Sequence, residues 1–123
     1  MLTTFKALKT LPVVAVAIGA WMAMSAVPAF AKQDAAQIKK GEAVYTAQKC
    51  SVCHSIAGKG GKSSPLDGVG AKLSADEIRL WITHPADAAK KANSTKKPPM
   101  PAKYGKLPAA DIDALVAFMQ SLK

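Results

Sequence analysis

Apolar residues repeat at helical spacing in three stretches of the chain. In the first stretch they are three or four residues apart and follow Asp34-Ala-Ala-Gln37, which has the form of a capping box. We therefore predict a first helix from about residue 35 to the cysteine pair that follows it. The residues on its predicted inner face are Ile38, Gly41, Val44 and Tyr45.

A second helix is predicted where Ser74-Ala-Asp-Glu77 forms another capping box. It carries Ile78, Trp81 and Ile82. Pro85 disfavours the α conformation at the residue before it, so this helix should end near His84. A short helix is also expected within residues 86–97, ending at Asn93-Ser94-Thr95.

The third apolar stretch predicts a helix at the C-terminus. Pro108 suits its first turn, and Asp111 and Asp113 lie near its positive end. Phe118 lies beside its apolar face, which consists of Ile112, Leu115, Val116, Met119 and Leu122.

The segments between these helices contain residues that break regular structure. Glycines, serines and a proline make residues 58–73 a predicted loop, and three prolines stiffen the loop at residues 96–101. No strand alternation and no internal repeat is evident. The pattern predicts an all-α domain of about four short helices.

The N-terminus has the features of a secretory signal peptide. Residues 1–10 carry two lysines and no acidic residue, residues 11–24 are almost entirely apolar, and Ala29-Phe30-Ala31 has the A-x-A form of a cleavage site. We expect residues 1–31 to be removed and residues 32–123 to form one exported, periplasmic domain without membrane insertion. Retention of the segment as a membrane anchor is the alternative.

The predicted mature domain is strongly basic. Fifteen of the 17 Lys and Arg residues and all 8 Asp and Glu residues lie in it, a net charge of +7. No aromatic residues interleave with a basic run, so nucleic acid is a poor candidate partner. The charge suits either general solubility or docking on an acidic redox protein, because complementary charge speeds encounter.

One motif carries specific chemistry. Cys50-Ser51-Val52-Cys53-His54 has the pattern C-x-x-C-H, the attachment site of c-type haem. Two thiols three positions apart can form thioether bonds to one edge of a porphyrin. The adjacent imidazole of His54 can then bind the iron. We predict one covalent haem c, attached through Cys50 and Cys53.

Other uses of the cysteines fit less well. A disulfide is common in exported proteins, but a thioredoxin-like redox pair is expected in a βαβ context that the sequence lacks. A structural zinc site requires four ligands, and only the motif and His84 could supply them.

The sixth iron ligand must come from outside the motif. Met100 lies in the proline-rich loop, where no helical face explains it, whereas Met119 belongs to the apolar face of the last helix. Flanking prolines would hold the Met100 thioether at low entropic cost. His84 and an open sixth position are the alternatives.

Together these features resemble a small monohaem class I cytochrome c of the bacterial periplasm. The resemblance rests on the helix before C-x-x-C-H, the Pro65-Leu66 pair, the loop Met beside prolines and the amphipathic last helix, and it covers essentially the whole mature domain. It implies the cytochrome c fold, one haem, and His54 and Met100 as axial ligands.

The resemblance also implies roles for further residues. The carbonyl of Pro65 would accept a hydrogen bond from the far nitrogen of His54, and Trp81 would lie near a haem propionate. Gly41 and Tyr45 would pack against the last helix, at Leu115 and Phe118. Ser64 departs from the family pattern, since many relatives have Gly before the proline.

The expected function is electron transfer by a monomeric carrier, not an enzyme, that exchanges electrons with larger redox proteins. One alternative is an electron-relay subunit of a dehydrogenase or oxidase complex, which would contain the same site. The other is an open-haem enzyme or gas sensor, which requires a vacant iron position. The sequence does not name the partners, the potential or the pathway.

Overall fold

The computed structural model describes residues 29–123, and side chains from residue 35 onward. Residues 1–28 of the predicted signal peptide lie outside the described residues. The elements are α1 (Ala29–Ala47), a 3₁₀ turn (Cys50–Val52), β1 (Ser55–Ile56), β2 (Lys59–Gly60), α2 (Val69–Lys72), α3 (Ala75–Thr83), α4 (Pro85–Lys91), a second 3₁₀ turn (Ala102–Lys106) and α5 (Ala109–Ser121). The mostly helical fold is confirmed.

Helix α1 and helix α5 cross at a glycine. A Cβ atom at position 41 would overlap the carbonyl oxygen of Ala114 and the side chain of Phe118, so only glycine permits this approach. One turn later the ring of Tyr45 meets the ring of Phe118 edge-on, with centroids 5.7 Å apart. The predicted crossing of the terminal helices is therefore present, with Gly41 against Ala114 and Phe118.

The predicted start of α1 is wrong. The helix begins at Ala29, so Asp34 lies inside it and is not its N-cap residue. Residues 29–37 contain neither Gly nor Pro and are rich in Ala and Gln, which are good helix formers. A residue of the cap type does not start a helix where the preceding sequence can also be helical.

Helices α3 and α5 follow their predictions closely. Ser74 and Glu77 form the predicted reciprocal capping box at the start of α3, which ends at Thr83. The hydrophobic core forms where these helices and α1 meet. Its buried members are Tyr45, Ile78, Ile82, Ile112, Leu115, Val116, Phe118 and Met119.

The segment predicted as a loop at residues 58–73 contains two small elements. Strands β1 and β2 pair in an antiparallel hairpin, and its turn residues Ala57 and Gly58 have φ of 50° and 76°. A two-residue turn with both φ values positive matches the twist of a hairpin. The prediction of no strands and about four helices was therefore incomplete, because this hairpin and the four-residue α2 are present.

Helix α2 is held by the C-terminal residues. The amide of Gly70 donates to the carbonyl of Leu122 at 2.8 Å, and the Lys123 ammonium donates to the Gly70 carbonyl at 2.9 Å. Such contacts come from the distant end of the chain and leave no local sequence signal.

Helix α4 confirms the short helix expected after Pro85. Pro85 occupies its first turn, and the chain leaves it near Asn93, which has a positive φ of 48°. Within residues 29–123, no helix has the length and apolar character needed to cross a membrane.

Candidate haem-binding site

The C-x-x-C-H motif forms a tight turn after α1. Lys49 adopts the left-handed conformation, with φ of 55°, and the 3₁₀ turn follows at once. The amide of His54 donates to the carbonyl of Cys50 at 3.0 Å, which closes the turn. Cys50 is half-buried, Cys53 is exposed, and both thiols are free of any disulfide.

Neighbouring groups bind the backbone carbonyls of this turn. The Gly61 amide donates to the Ser51 carbonyl at 2.8 Å, and the Ser63 hydroxyl donates to the Cys53 carbonyl at 3.2 Å. The buried Tyr45 donates its hydroxyl to the His54 carbonyl at 3.2 Å. The motif is thus fixed from the hairpin side and from α1.

The imidazole of His54 is oriented by a backbone carbonyl. Its Nδ1 lies 2.9 Å from the carbonyl oxygen of Ser64. Because a carbonyl only accepts hydrogen bonds, we assign the proton to Nδ1. The neutral ring then has a free lone pair on Nε2, as a metal ligand requires.

The acceptor predicted for His54 was the carbonyl of Pro65, and that prediction is wrong by one residue. The Leu66 amide donates to the Ser55 carbonyl at 2.8 Å, and the Leu66 side chain packs against the core. These contacts fix the chain just after Pro65, and the carbonyl before the proline is the one that meets His54. Pro65 itself is exposed.

A small cavity brings several predicted site residues together. Cys50, His54 and Met100 all contribute to its wall, although Met100 lies 46 positions after His54 in the chain. The other lining residues are Ile82, Tyr104, Leu115 and Met119. The wall therefore combines the predicted iron ligands with an apolar surround.

Cys53, Trp81 and His84 lie outside this wall. Cys53 is exposed at the end of the 3₁₀ turn, and Trp81 is half-buried on α3. His84 is exposed, and its Nδ1 lies 2.9 Å from the hydroxyl of Thr83. The role given to Trp81 stays a prediction.

Two cavity residues, Tyr104 and Met119, were not predicted from the sequence as part of the site. Met119 is buried in the core as predicted, but it also faces the cavity. Tyr104 lies on the second 3₁₀ turn, which packs so closely on α3 that a Cβ atom at Gly105 would crowd the Thr83 carbonyl. An aromatic residue shortly after a loop Met was the available signal.

The cavity wall disfavours the ionised forms of the titratable side chains that line it. Burial raises the pKa of the Cys50 thiol above its ordinary value, although its backbone hydrogen bond and Lys103 act in the opposite direction. Burial likewise raises the pKa of the Tyr104 phenol. A low-dielectric wall of this kind suits a large, flat, mostly apolar group.

The family model described as Cytochrome c matches residues 38–123. The chain belongs to the cytochrome c family. No curated protein and no solved structure matches it. The cytochrome binds haem c, attached covalently through Cys50 and Cys53, and the family has a role in electron transfer.

The residues of this cytochrome fit the haem. Two free thiols three positions apart can form the thioether bonds, and the imidazole beside them has its Nε2 available. The bound iron supplies one-electron exchange between Fe(III) and Fe(II). Within the described part of the chain, no group of three or more His, Cys, Asp or Glu residues could hold another metal ion, so the zinc alternative lacks a ligand set.

Proposed function

We propose that this cytochrome c is a periplasmic electron carrier whose haem has His54 and Met100 as axial ligands. The observation that carries the proposal is that both side chains line one apolar cavity together with Cys50. A carrier needs an iron that keeps its ligands in both oxidation states. It does not need a substrate pocket, so we propose no enzymatic activity.

Each residue has a defined task in this proposal. Cys50 and Cys53 hold the haem, and the Ser64 carbonyl keeps the His54 ring in the orientation and tautomer that bind metal. The Met100 thioether favours Fe(II), since sulfur is a soft ligand, and raises the potential. The apolar side chains of Ile82 and Leu115 line the same cavity and would exclude water from the iron.

The alternatives for the sixth position find less support. His84 is exposed and outside the cavity wall, and its ring is engaged with Thr83. An open-haem enzyme or sensor needs a free face on the iron, whereas Met100 lines the same cavity as His54 and could supply the sixth ligand. A relay subunit of a larger complex would contain the same site as a free carrier.

Replacing Met100 tests the ligation. In the haem-loaded Met100→Ala variant we expect loss of the weak methionine-to-iron absorption band, a lower potential and rapid carbon monoxide binding by the reduced protein. The physical reason is that alanine leaves the sixth position to water or added ligands. Visible spectra and carbon monoxide titration of both proteins measure these effects.

Met119→Leu is the matched control. Met119 lines the same cavity, but leucine conserves its volume, so we expect a packing cost under about 1.5 kcal/mol and an unchanged methionine band. If wild type binds carbon monoxide as fast as Met100→Ala does, Met100 is not an iron ligand and the open-haem alternative becomes the better one.

The periplasmic location rests on residues 1–31, whose charge, apolar stretch and A-x-A site suit export and cleavage. Expression of the full chain in a bacterium that matures c-type cytochromes provides the test. We expect haem-containing protein in the periplasmic fraction, with the mass of residues 32–123 plus one haem. Retention in the membrane at full mass would favour an anchor instead.

We propose that the partners are redox proteins with acidic docking surfaces. The two segments that carry the motif and Met100, residues 43–66 and 88–110, contain nine exposed lysines and no acidic residue. Val52, within the motif, is 72 % exposed, the most exposed large apolar side chain described. An exposed apolar side chain within a lysine-rich part of the sequence suits a transient electrostatic encounter.

A further inference from the structure

The segment that carries Met100 has few polar contacts with the rest of the protein. Within the described residues, positions 95–100 make no backbone–backbone hydrogen bond to another element. Pro98 and Pro99 lack an amide hydrogen altogether. The segment depends on proline stiffness, on the half-buried Met100 and on one side-chain hydrogen bond.

One side-chain hydrogen bond connects this segment to another part of the protein. The ammonium of Lys96 donates to the backbone carbonyl of Ser63 at 2.9 Å, across 33 positions in the chain. Among residues 95–100 it is the sole side-chain hydrogen bond described. Lys97, the next residue, makes none within the described structure.

The other end of this hydrogen bond lies beside the histidine ligand. The Ser63 hydroxyl donates to the Cys53 carbonyl, and the next residue, Ser64, accepts from the imidazole of His54. The Lys96 contact therefore joins the segment that orients His54 to the segment that bears Met100.

We infer that Lys96 is a positioning residue that holds the Met100 segment in place for iron ligation. The inference rests on the proposed function, since it takes Met100 as the sixth ligand. Three prolines limit the freedom of the segment, so a single charge-assisted hydrogen bond is sufficient to bias where Met100 lies. Its loss makes detachment of Met100 more frequent.

The size of the effect is modest because Lys96 is exposed. Hydrogen bonds to charged groups contribute more than neutral ones, and exposure to water reduces that contribution. We expect Met100 detachment to become about three- to fivefold more frequent when the hydrogen bond is removed.

Lys96→Leu and the control Lys97→Leu test this positioning role in the haem-loaded protein. Both variants remove one positive charge from adjacent exposed positions, but only the first removes the hydrogen bond to Ser63. The measurement is the rate of imidazole binding to the Fe(III) protein, which requires Met100 to leave. We expect a rate about three- to fivefold higher than wild type in Lys96→Leu and a wild-type rate in Lys97→Leu. In Lys96→Arg we expect a rate close to wild type, because arginine can also donate to the Ser63 carbonyl.

Backbone ¹⁵N relaxation of the Met100 segment supplies a second readout that does not use an added ligand. We expect a lower order parameter at Met100 in Lys96→Leu than in Lys97→Leu. Equal order parameters and equal imidazole rates in the two leucine variants would overturn the inference. A wild-type Fe(III) spectrum without the methionine band would instead overturn the proposed ligation, and a lower order parameter in Lys96→Leu alone would then show that Lys96 holds the segment without serving a ligand.

Discussion

At the scale of single residues, Glu77 shows how one carboxylate can cap a helix. Its Oε2 accepts from the amide of Ser74 at 2.9 Å and from the Ser74 hydroxyl at 3.0 Å. These hydrogen bonds, the backbone one first, hold the pKa of Glu77 below its ordinary 4.5. A carboxyl whose pKa is lowered by folding stabilises the folded state above its unfolded pKa, and that contribution is lost as pH falls through the folded pKa.

The variant Glu77→Gln measures the contribution of the Glu77 carboxylate to the free energy of unfolding. Glutamine can still reach back to Ser74 but does not titrate. We expect wild type to exceed the variant in free energy of unfolding above about pH 4.5, and the difference to shrink at lower pH. Urea unfolding of both proteins between about pH 3 and pH 6 measures it.

The control for this measurement is Asp76→Asn. Asp76 lies in the same first turn of α3 and makes no side-chain hydrogen bond in the described structure, so it reports only the loss of a negative charge near the helix N-terminus. A difference between wild type and Glu77→Gln that stays constant across this pH range would contradict the assignment of the pKa shift to the capping box.

The cysteines that attach the haem were predictable from the sequence. Cys50 and Cys53 were identified because their spacing defines the bonds that they can make, and His54 was proposed as a ligand from its place beside Cys53. The carbonyl that orients His54 was assigned to Pro65 and belongs to Ser64. Every residue carries a backbone carbonyl, so the choice of acceptor depends on how Leu66 is fixed, which the sequence does not display.

At the scale of elements, local signals predicted the helices well and missed the elements held by distant contacts. The start of α3 and the apolar face of α5 depend on residues within one or two turns of each other. Helix α2 depends on Leu122 and Lys123, about 50 positions away. The hairpin turn at Ala57 and Gly58 lacks the Asn-Gly or Asp-Gly pair that would have indicated it.

The residues that line the cavity divide in the same way, into those marked by a local sequence signal and those placed by distant packing. Met100 was predicted from its prolines, a local feature, whereas Tyr104 and Met119 reach the cavity through packing of the second 3₁₀ turn and of α5. Packing of this kind is set by contacts between α3, α5 and the loops. It cannot be read from the spacing of apolar residues alone.

At the scale of the whole molecule, lysines are concentrated in two stretches of the sequence, each bounded by acidic residues. The eight acidic residues all lie outside segments 43–66 and 88–110, and nine of the basic residues lie within them. If these segments form the docking surface, electron transfer to an acidic partner should slow as salt rises. The Debye length shortens from roughly 10 Å at 0.1 M to about 3 Å at 1 M ionic strength.

Two variants test whether the salt dependence of electron transfer comes from the position of a lysine or from the total charge. Lys62→Gln removes a charge from residues 43–66, whereas Lys39→Gln removes the same charge from the exposed surface of α1. We expect only Lys62→Gln to lower the bimolecular rate at low salt and to flatten its salt dependence. Equal effects of the two variants would leave the lysines with a general solubility role.

The crossing of α1 and α5 has a consequence for how the protein matures. Helix α5, the last thirteen residues of regular structure, supplies six of the ten buried apolar residues, and its contacts with α1 span about 70 positions. Loop closure over that length must precede most of the burial. A chain without a packed α5 therefore cannot complete its core, and the Cys50 thiol, half-buried in the folded structure, stays accessible until that helix packs. The topology thus leaves an interval in which the haem can be joined to the cysteines before folding encloses it.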